Sequence, residues 1–144
     1  MRNIIFRGKA THKGNTPNNW VYGGCLITPM GNSFIIPNTS PKFNSKGEYE
    51  AKAIEVCYIC QSTGMNDRQG RNIYEGDILK HANMPVYYTV VWDIKLSSFV
   101  LYNPKEKHEE FGFGELSPLG RMLRLFPFDK VGNIYDNPEI LKKY

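Results

Sequence analysis

Glu75 and Asp77 are the first residues whose type and spacing suggest chemistry. Two positions apart on a strand, they would share a face, and adjacent carboxylates can divide acid and base roles. His81 follows four residues later, and the three together make the nearest approach to a hydrolytic set. Gly76 between the carboxylates argues instead for a turn, with Asp77 holding backbone N–H groups. Cys57 and Cys60 form a C-x-x-C pair, with Cys25, His12, His81 and His108 as the other soft ligands. Structural zinc wants four ligands, commonly as two such pairs, and no second pair exists. The run Ala53–Gln61 also alternates like a strand, and residues three apart on a strand face opposite sides. No metal or cofactor is therefore expected. Gly112-Phe113-Gly114 lacks the strand, lysine and helix of a phosphate loop. Ser97, Ser98 and Ser117 lack a Gly-x-Ser-x-Gly context. A non-enzymatic protein without a small-molecule substrate is the expectation.

Aromatic residues offer a different chemistry, that of contact. Tyr22, Tyr58, Tyr74, Tyr87, Tyr88, Trp92, Phe99 and Tyr102 fall on segments that read as strands. Strand alternation sends some of them outward, where they can grip a peptide, bury against another subunit or stack on bases. The binding set carried forward is Tyr74, Glu75, Asp77, Tyr87 and Trp92. A protein partner, either a second copy or another protein, is the first expectation, and nucleic acid the second. The net charge is +4, from 18 basic and 14 acidic residues, and it is unevenly placed. Residues 1–60 hold seven basic and three acidic residues, whereas 61–144 hold eleven of each. The basic residues are scattered and the pI is 8.9. A nucleic-acid binder usually clusters them and has a domain pI above ~9.

The elements that must position these residues are short. The 144 residues include 13 Gly and 9 Pro, which punctuate brief apolar runs, the pattern of many strands joined by turns. The fold class read from this pattern is mainly β, with β-hairpins in the N-terminal part and a short C-terminal helix. Strands are expected at Ile4–Arg7, Trp20–Pro29, Phe34–Pro37, Glu50–Gln61, Ile73–Lys80, Val86–Asp93, Ser98–Tyr102 and Lys130–Tyr135. Gly23-Gly24 suggests a bulge or bend. Met30–Ser33 and Asp93–Ser98 read as hairpin turns. Polar loops are expected over residues 11–19, 37–47 and 103–120, the last with room for one short helical turn, and a helical turn over Tyr49–Ala53 is the alternative to a strand start there. In the strongest strand, Val86, Tyr88, Val90 and Trp92 share one face and Tyr87, Thr89, Val91 and Asp93 the other. Asn137, Pro138 and Glu139 make a helix start, with the helix running from Pro138 to Lys143. Two β subdomains, 1–61 and 62–144, packed as one unit, complete the expectation. No run of ~20 apolar residues is present to cross a bilayer. Three cysteines without a leader peptide point to a reducing cytoplasm.

One long segment, Gln61-Ser-Thr-Gly-Met-Asn-Asp-Arg-Gln-Gly-Arg-Asn-Ile-Tyr-Glu-Gly-Asp-Ile-Leu79, resembles the central signature of the YopX family of bacteriophage and prophage proteins. Arg2–Arg7, Trp20-Val-Tyr-Gly23, Val90-Val-Trp-Asp93 and Gly132-Asn-Ile-Tyr-Asp-Asn-Pro-Glu-Ile-Leu141 agree with further family segments, in the same order. Ser62 stands where an aromatic is usual, and the Cys57–Cys60 pair is also a departure. The resemblance implies a β-rich protein with an SH3-like barrel in its C-terminal part, 62–144. It implies no enzymatic activity and a setting in phages, prophages and other mobile elements. The protein partner would then be a second copy or a host or phage protein in the bacterial cytoplasm.

Overall fold

The computed structural model describes residues 4–11, 19–37, 42–103, 105 and 116–143. Strands dominate it, as the alternation and the turn residues require, and the chain divides into two compact units, Met1–Ser62 and Thr63–Tyr144.

The first unit contains β1 (Phe6–Ala10), β2 (Trp20–Ile27), β3 (Ser33–Pro37), β4 (Lys42–Phe43), β5 (Tyr49–Glu50) and the first part of β6 (Ile54–Asn66). β1 pairs with β2, β2 with β3, β3 with β6 and β6 again with β1, all antiparallel, so four strands close a ring. Closure leaves those edges no free ladder groups. Val21, Ile35 and Val56 fill the inside, with Phe6, Ala10, Cys25, Ile54 and Ile59 packed against them. The β2–β3 turn comes where Gly31 suggests it, with φ +86°. Gly23 is no bulge: its ladder to β3 is continuous, and a Cβ there would lie 1.9 Å from the Ile36 carbonyl oxygen. Close backbone approach is what that strand glycine serves.

The bulge lies in β6 instead. Gly8 pairs with Ile59 but Ala10 with Val56, so Cys57 and Tyr58 together oppose Lys9. An extra residue shifts the alternation by one. Ile59, not Tyr58, therefore joins Val56 in the interior. The parity argument for Cys57 and Cys60 is overturned by the same shift. Neither cysteine forms a disulfide; Cys57 is exposed and Cys60 buried. The expected polar loop over 37–47 and helical turn over Tyr49–Ala53 give way to a β4–β5 hairpin, Lys42 pairing with Glu50 and Phe43 with Tyr49. Asn44 makes that turn, its Oδ1 accepting N–H bonds from Lys46 and Glu48.

The second unit begins at Thr63, near the end of β6, and β7 (Asn72–Tyr74) is the sheet neighbour of that strand. It continues through β8 (Asp77–His81), β9 (Tyr87–Asp93), β10 (Ser98–Tyr102), β11 (Leu116–Pro118), α1 (Leu119–Leu125), β12 (Phe128–Asn133) and α2 (Glu139–Lys143). Its antiparallel sheet runs β11-β10-β9-β8-β12. Tyr88 and Val90 point into the core, on the face expected, beside Ile73, Leu79, Phe99, Leu101, Leu119, Met122 and Phe128. The helix α1 was not expected from the sequence. Leu119, Met122, Leu123 and Phe126 repeat at helical spacing, but Gly120, Arg121 and Arg124 within the helix and Pro127 just after it obscure so short a period. The loop expectation over 11–19 lies largely outside the described residues; that over 103–120 is overturned at its end, where β11 and the start of α1 form, and otherwise lies largely outside them. Among the described residues no helix is long and apolar enough to cross a membrane.

Candidate functional site

From Thr63 on, the signature segment spends several of its polar residues on holding the second unit together. Asp67 is buried. Its Oδ1 accepts from the Gln69 and Arg71 N–H groups (3.0 and 2.8 Å), and its Oδ2 accepts from Arg71 Nε and the Lys130 N–H (both 2.9 Å). Burial, the largest single influence, works to raise its pKa. The Lys130 and Arg71 N–H groups and the Arg71 guanidinium together outweigh it, so the carboxyl is held below its ordinary value. Arg71 Nη2 also donates to the Lys130 carbonyl (2.8 Å), and Arg68 makes a two-pronged bond to Asp129 (3.1 and 2.7 Å). The β6–β7 connection is thus bound to β12, some sixty residues away in sequence.

Tyr74, Glu75 and Asp77 form the β7–β8 turn. Gly76 adopts φ +82°, its N–H donates to the Val90 carbonyl and its own carbonyl accepts from Ile134. Asp77 is fully buried. Its Oδ2 accepts the Tyr74 N–H (2.8 Å) and lies 3.5 Å from Lys130 Nζ. The same ammonium donates to the Asn72 carbonyl (2.8 Å) and sits 5.8 Å from the Tyr74 ring centre. Asp77 is a turn carboxylate with an ion pair, as the glycine beside it suggested. Asp77 and His81 stand at opposite ends of β8, about 13 Å apart at strand rise. His81 packs edge-on to Phe128 (5.5 Å) and accepts the Asn83 N–H at Nδ1 (3.1 Å). The two do not meet as a hydrolytic pair.

Tyr87 and Trp92 share β9 but not a site. They are five residues apart, about 17 Å, and fall on opposite faces. Tyr87 is half-buried opposite Lys80. Trp92 lies edge-to-face on Phe99 (5.0 Å) and stays 47% exposed. It opens onto the β9–β10 turn, where Ile94 and Leu96 are 83% and 53% exposed. This turn is held by polar bonds. Asp93 Oδ1 accepts the Leu96 N–H (2.8 Å), and Ser97, with φ +47°, donates its hydroxyl to the Ile94 carbonyl (3.4 Å). Two large apolar side chains, Ile94 and Leu96, are therefore presented by a fixed turn, the type of position that Gly, Asn, Asp and Ser usually fill, and Trp92 stands at the end of the strand that leads into it. Ile94 and Leu96 were missed in the sequence; their signal is two aliphatics inside a four-residue turn.

A groove of about 650 Å³ beside α1, lined by Met65, Leu123, Arg121 and Arg124 among others, is wide open. Among the described residues no cluster of His, Cys, Asp and Glu could hold a metal ion.

The family profile of the YopX proteins matches residues 16–142. The chain belongs to the YopX family. No relative among curated proteins matches it. Among solved structures it is similar to protein EF1440 from Enterococcus faecalis, with 19% identity, a TM-score of 0.45, and 98% of this chain and 99% of that chain covered. In this YopX protein the signature Asp67-x-x-Gly70 and Tyr74-Glu-Gly-Asp77 encode turns and ties. The C-terminal Gly132–Leu141 motif does the same. Asn133 Oδ1 accepts the Tyr135 and Asp136 N–H groups, and Asn137 accepts the Asn133 N–H. Of the five residues proposed from sequence, Trp92 alone belongs to the apolar tip.

Proposed function

We propose that this YopX protein is a non-enzymatic accessory protein of a phage or prophage, acting in the bacterial cytoplasm as a protein-binding module. Its contact surface is the β9–β10 tip, Trp92, Ile94 and Leu96. The observation that carries this reading is that clustering: single exposed apolar residues are ordinary, but contiguous ones mark contact sites. Tryptophan at such a site is a frequent anchor. The rigid turn removes part of the ordering cost of association. The partner is a second copy or a host or phage protein. The test is sedimentation equilibrium together with affinity capture, comparing the chain with its Ile94→Ser, Leu96→Ser double variant. Self-association, or capture of a specific protein, that the double variant abolishes supports the reading. Identical behaviour of the two chains overturns it.

A further inference from the structure

One face of α1 bears residues that the helix itself does not call for. Arg121 stands in its first turn, which holds no acidic residue, and Pro118 before it makes no side-chain cap bond. An acidic side chain there would favour the helix, whereas a cation opposes its dipole. Gly120 stands beside it, and glycine within a helix forgoes stability relative to alanine. Nothing at this position requires glycine. Its φ is not positive, and a Cβ would come no nearer than 3.6 Å to Met65 Sδ, an ordinary contact. Arg124 follows Arg121 by three positions, on the same face. Both arginines are exposed, and Arg124 makes no ion pair among the described residues.

These three residues line the open groove of about 650 Å³. Met65 and Leu123, each partly buried against the core of the second unit, give it an apolar lining, and Asn66 and Ser98 add polar groups. A side chain at position 120 would take up part of this space. Among the described residues that line the groove there is neither a carboxylate nor an aromatic ring. Carboxylates close by in the fold are engaged elsewhere. Asp67, next to Asn66, is held by Arg71 and the Lys130 N–H, and Asp93, the register partner of Ser98, accepts the Leu96 N–H. Two guanidinium groups on one face call for carboxylates or phosphates. Nucleic acid would want rings on which to stack, and the lining has none. A small molecule would want enclosure, and the groove is wide open. Methionine and leucine suit aliphatic side chains of varied shape. A peptide carrying both carboxylates and aliphatics meets all of these conditions.

We infer that the α1 groove binds an acidic peptide segment of a partner protein, with carboxylates on Arg121 and Arg124 and an aliphatic side chain against Met65 and Leu123. Trp92, Ile94 and Leu96 are not among its lining residues, so the inference stands apart from the β9–β10 tip. In an extended segment, residues two apart lie on one side about 6.6 Å from each other. Helix positions three apart have Cβ atoms about 5–6 Å from each other. The matching pattern is therefore two carboxylates with one residue between them. Fluorescence anisotropy of the full chain against labelled hexapeptides built from Asp, Glu, Leu, Ile and Gly tests it. Peptides with that pattern and an aliphatic neighbour are expected to bind at about 50 mM salt and more weakly at about 200 mM. Arg121→Gln and Arg124→Gln each weaken the tightest peptide by roughly 3- to 10-fold. Arg124→Lys recovers only part of that loss, because an ammonium cannot make the two-pronged bond. Gly120→Leu blocks the groove and removes binding without lowering the thermal midpoint, and Lys142→Gln on α2 leaves binding unchanged. Far-UV circular dichroism verifies that each variant is folded, and the glutamine variants at exposed positions keep the test if Gly120→Leu does not fold. No peptide bound at the lower salt overturns the inference. So do folded glutamine variants that bind as the parent does. Displacement of the peptide by oligothymidylate at equal charge concentration would also overturn it, assigning the groove to nucleic acid.

Discussion

The two units hold themselves together by different means. The first is a closed ring of strands around a small apolar interior, with Arg7 and Lys9 lying over the Trp20 ring. The second carries no net charge, yet two of its connections are fastened by carboxylates: β6–β7 by its own Asp67 and by Asp129 on β12, and β7–β8 by Asp77. Apolar packing depends little on pH, whereas a carboxylate tie lasts only while it is ionised. The units should therefore answer differently to acid, and hydrogen exchange resolved along the chain can read each separately.

The sharpest break of that comparison is Asp77→Ala. It leaves the Tyr74 N–H without its acceptor and Lys130 without its anion. Losing one partner of a buried pair costs about 3–5 kcal/mol. Urea unfolding should show that loss, with exchange protection falling first in residues 63–144. Unchanged protection there would refute the role given to the pair.

Asp67 sets the acid response. Its folded pKa is lowered, so its contribution is complete above the ordinary aspartate value of about 3.9 and disappears as pH falls through the folded value. Asp67→Asn should cost about 1–3 kcal/mol at neutral pH and flatten the loss of stability below about pH 4. Equal acid sensitivity in parent and variant would remove Asp67 from the account. Gly76→Ala is expected to cost about 1–2 kcal/mol, because φ +82° suits glycine and a Cβ would meet Tyr135 Cε2 at 3.0 Å. Thermal unfolding measures it. Arg68→Ala, at a half-exposed guanidinium, should cost only about 0.2–1 kcal/mol and lose even that in high salt.

Much of the fold was legible because it rests on local rules. Alternation in Val86–Asp93 identified the buried face of β9, and Asn137-Pro138-Glu139 announced α2 within one residue of where it begins. The β6 bulge was not legible, since an inserted residue is specified by pairing with β1, which no window of β6 contains. α1 was hidden by its length of seven residues and by the arginines within it. At the site, Gly76 correctly signalled a turn, but Lys130, the partner that Asp67 and Asp77 share, lies more than fifty residues from either. Sequence spacing also joined Tyr87 and Trp92 into one set that the strand separates. Ile94 and Leu96 were present as an anomaly of composition in a turn.

The central claim is that the β9–β10 tip is a protein contact surface. A photo-crosslinking residue placed at position 94, with position 131 on β12 as an exposed reference, tests it most directly in cells producing the chain. The account predicts a discrete cross-linked band from position 94 and none from 131. That band contains either two copies, about 33 kDa from the 16.6 kDa chain, or one copy joined to a defined second protein. Uncrosslinked chain alone from position 94, or the same diffuse products from both positions, would contradict it.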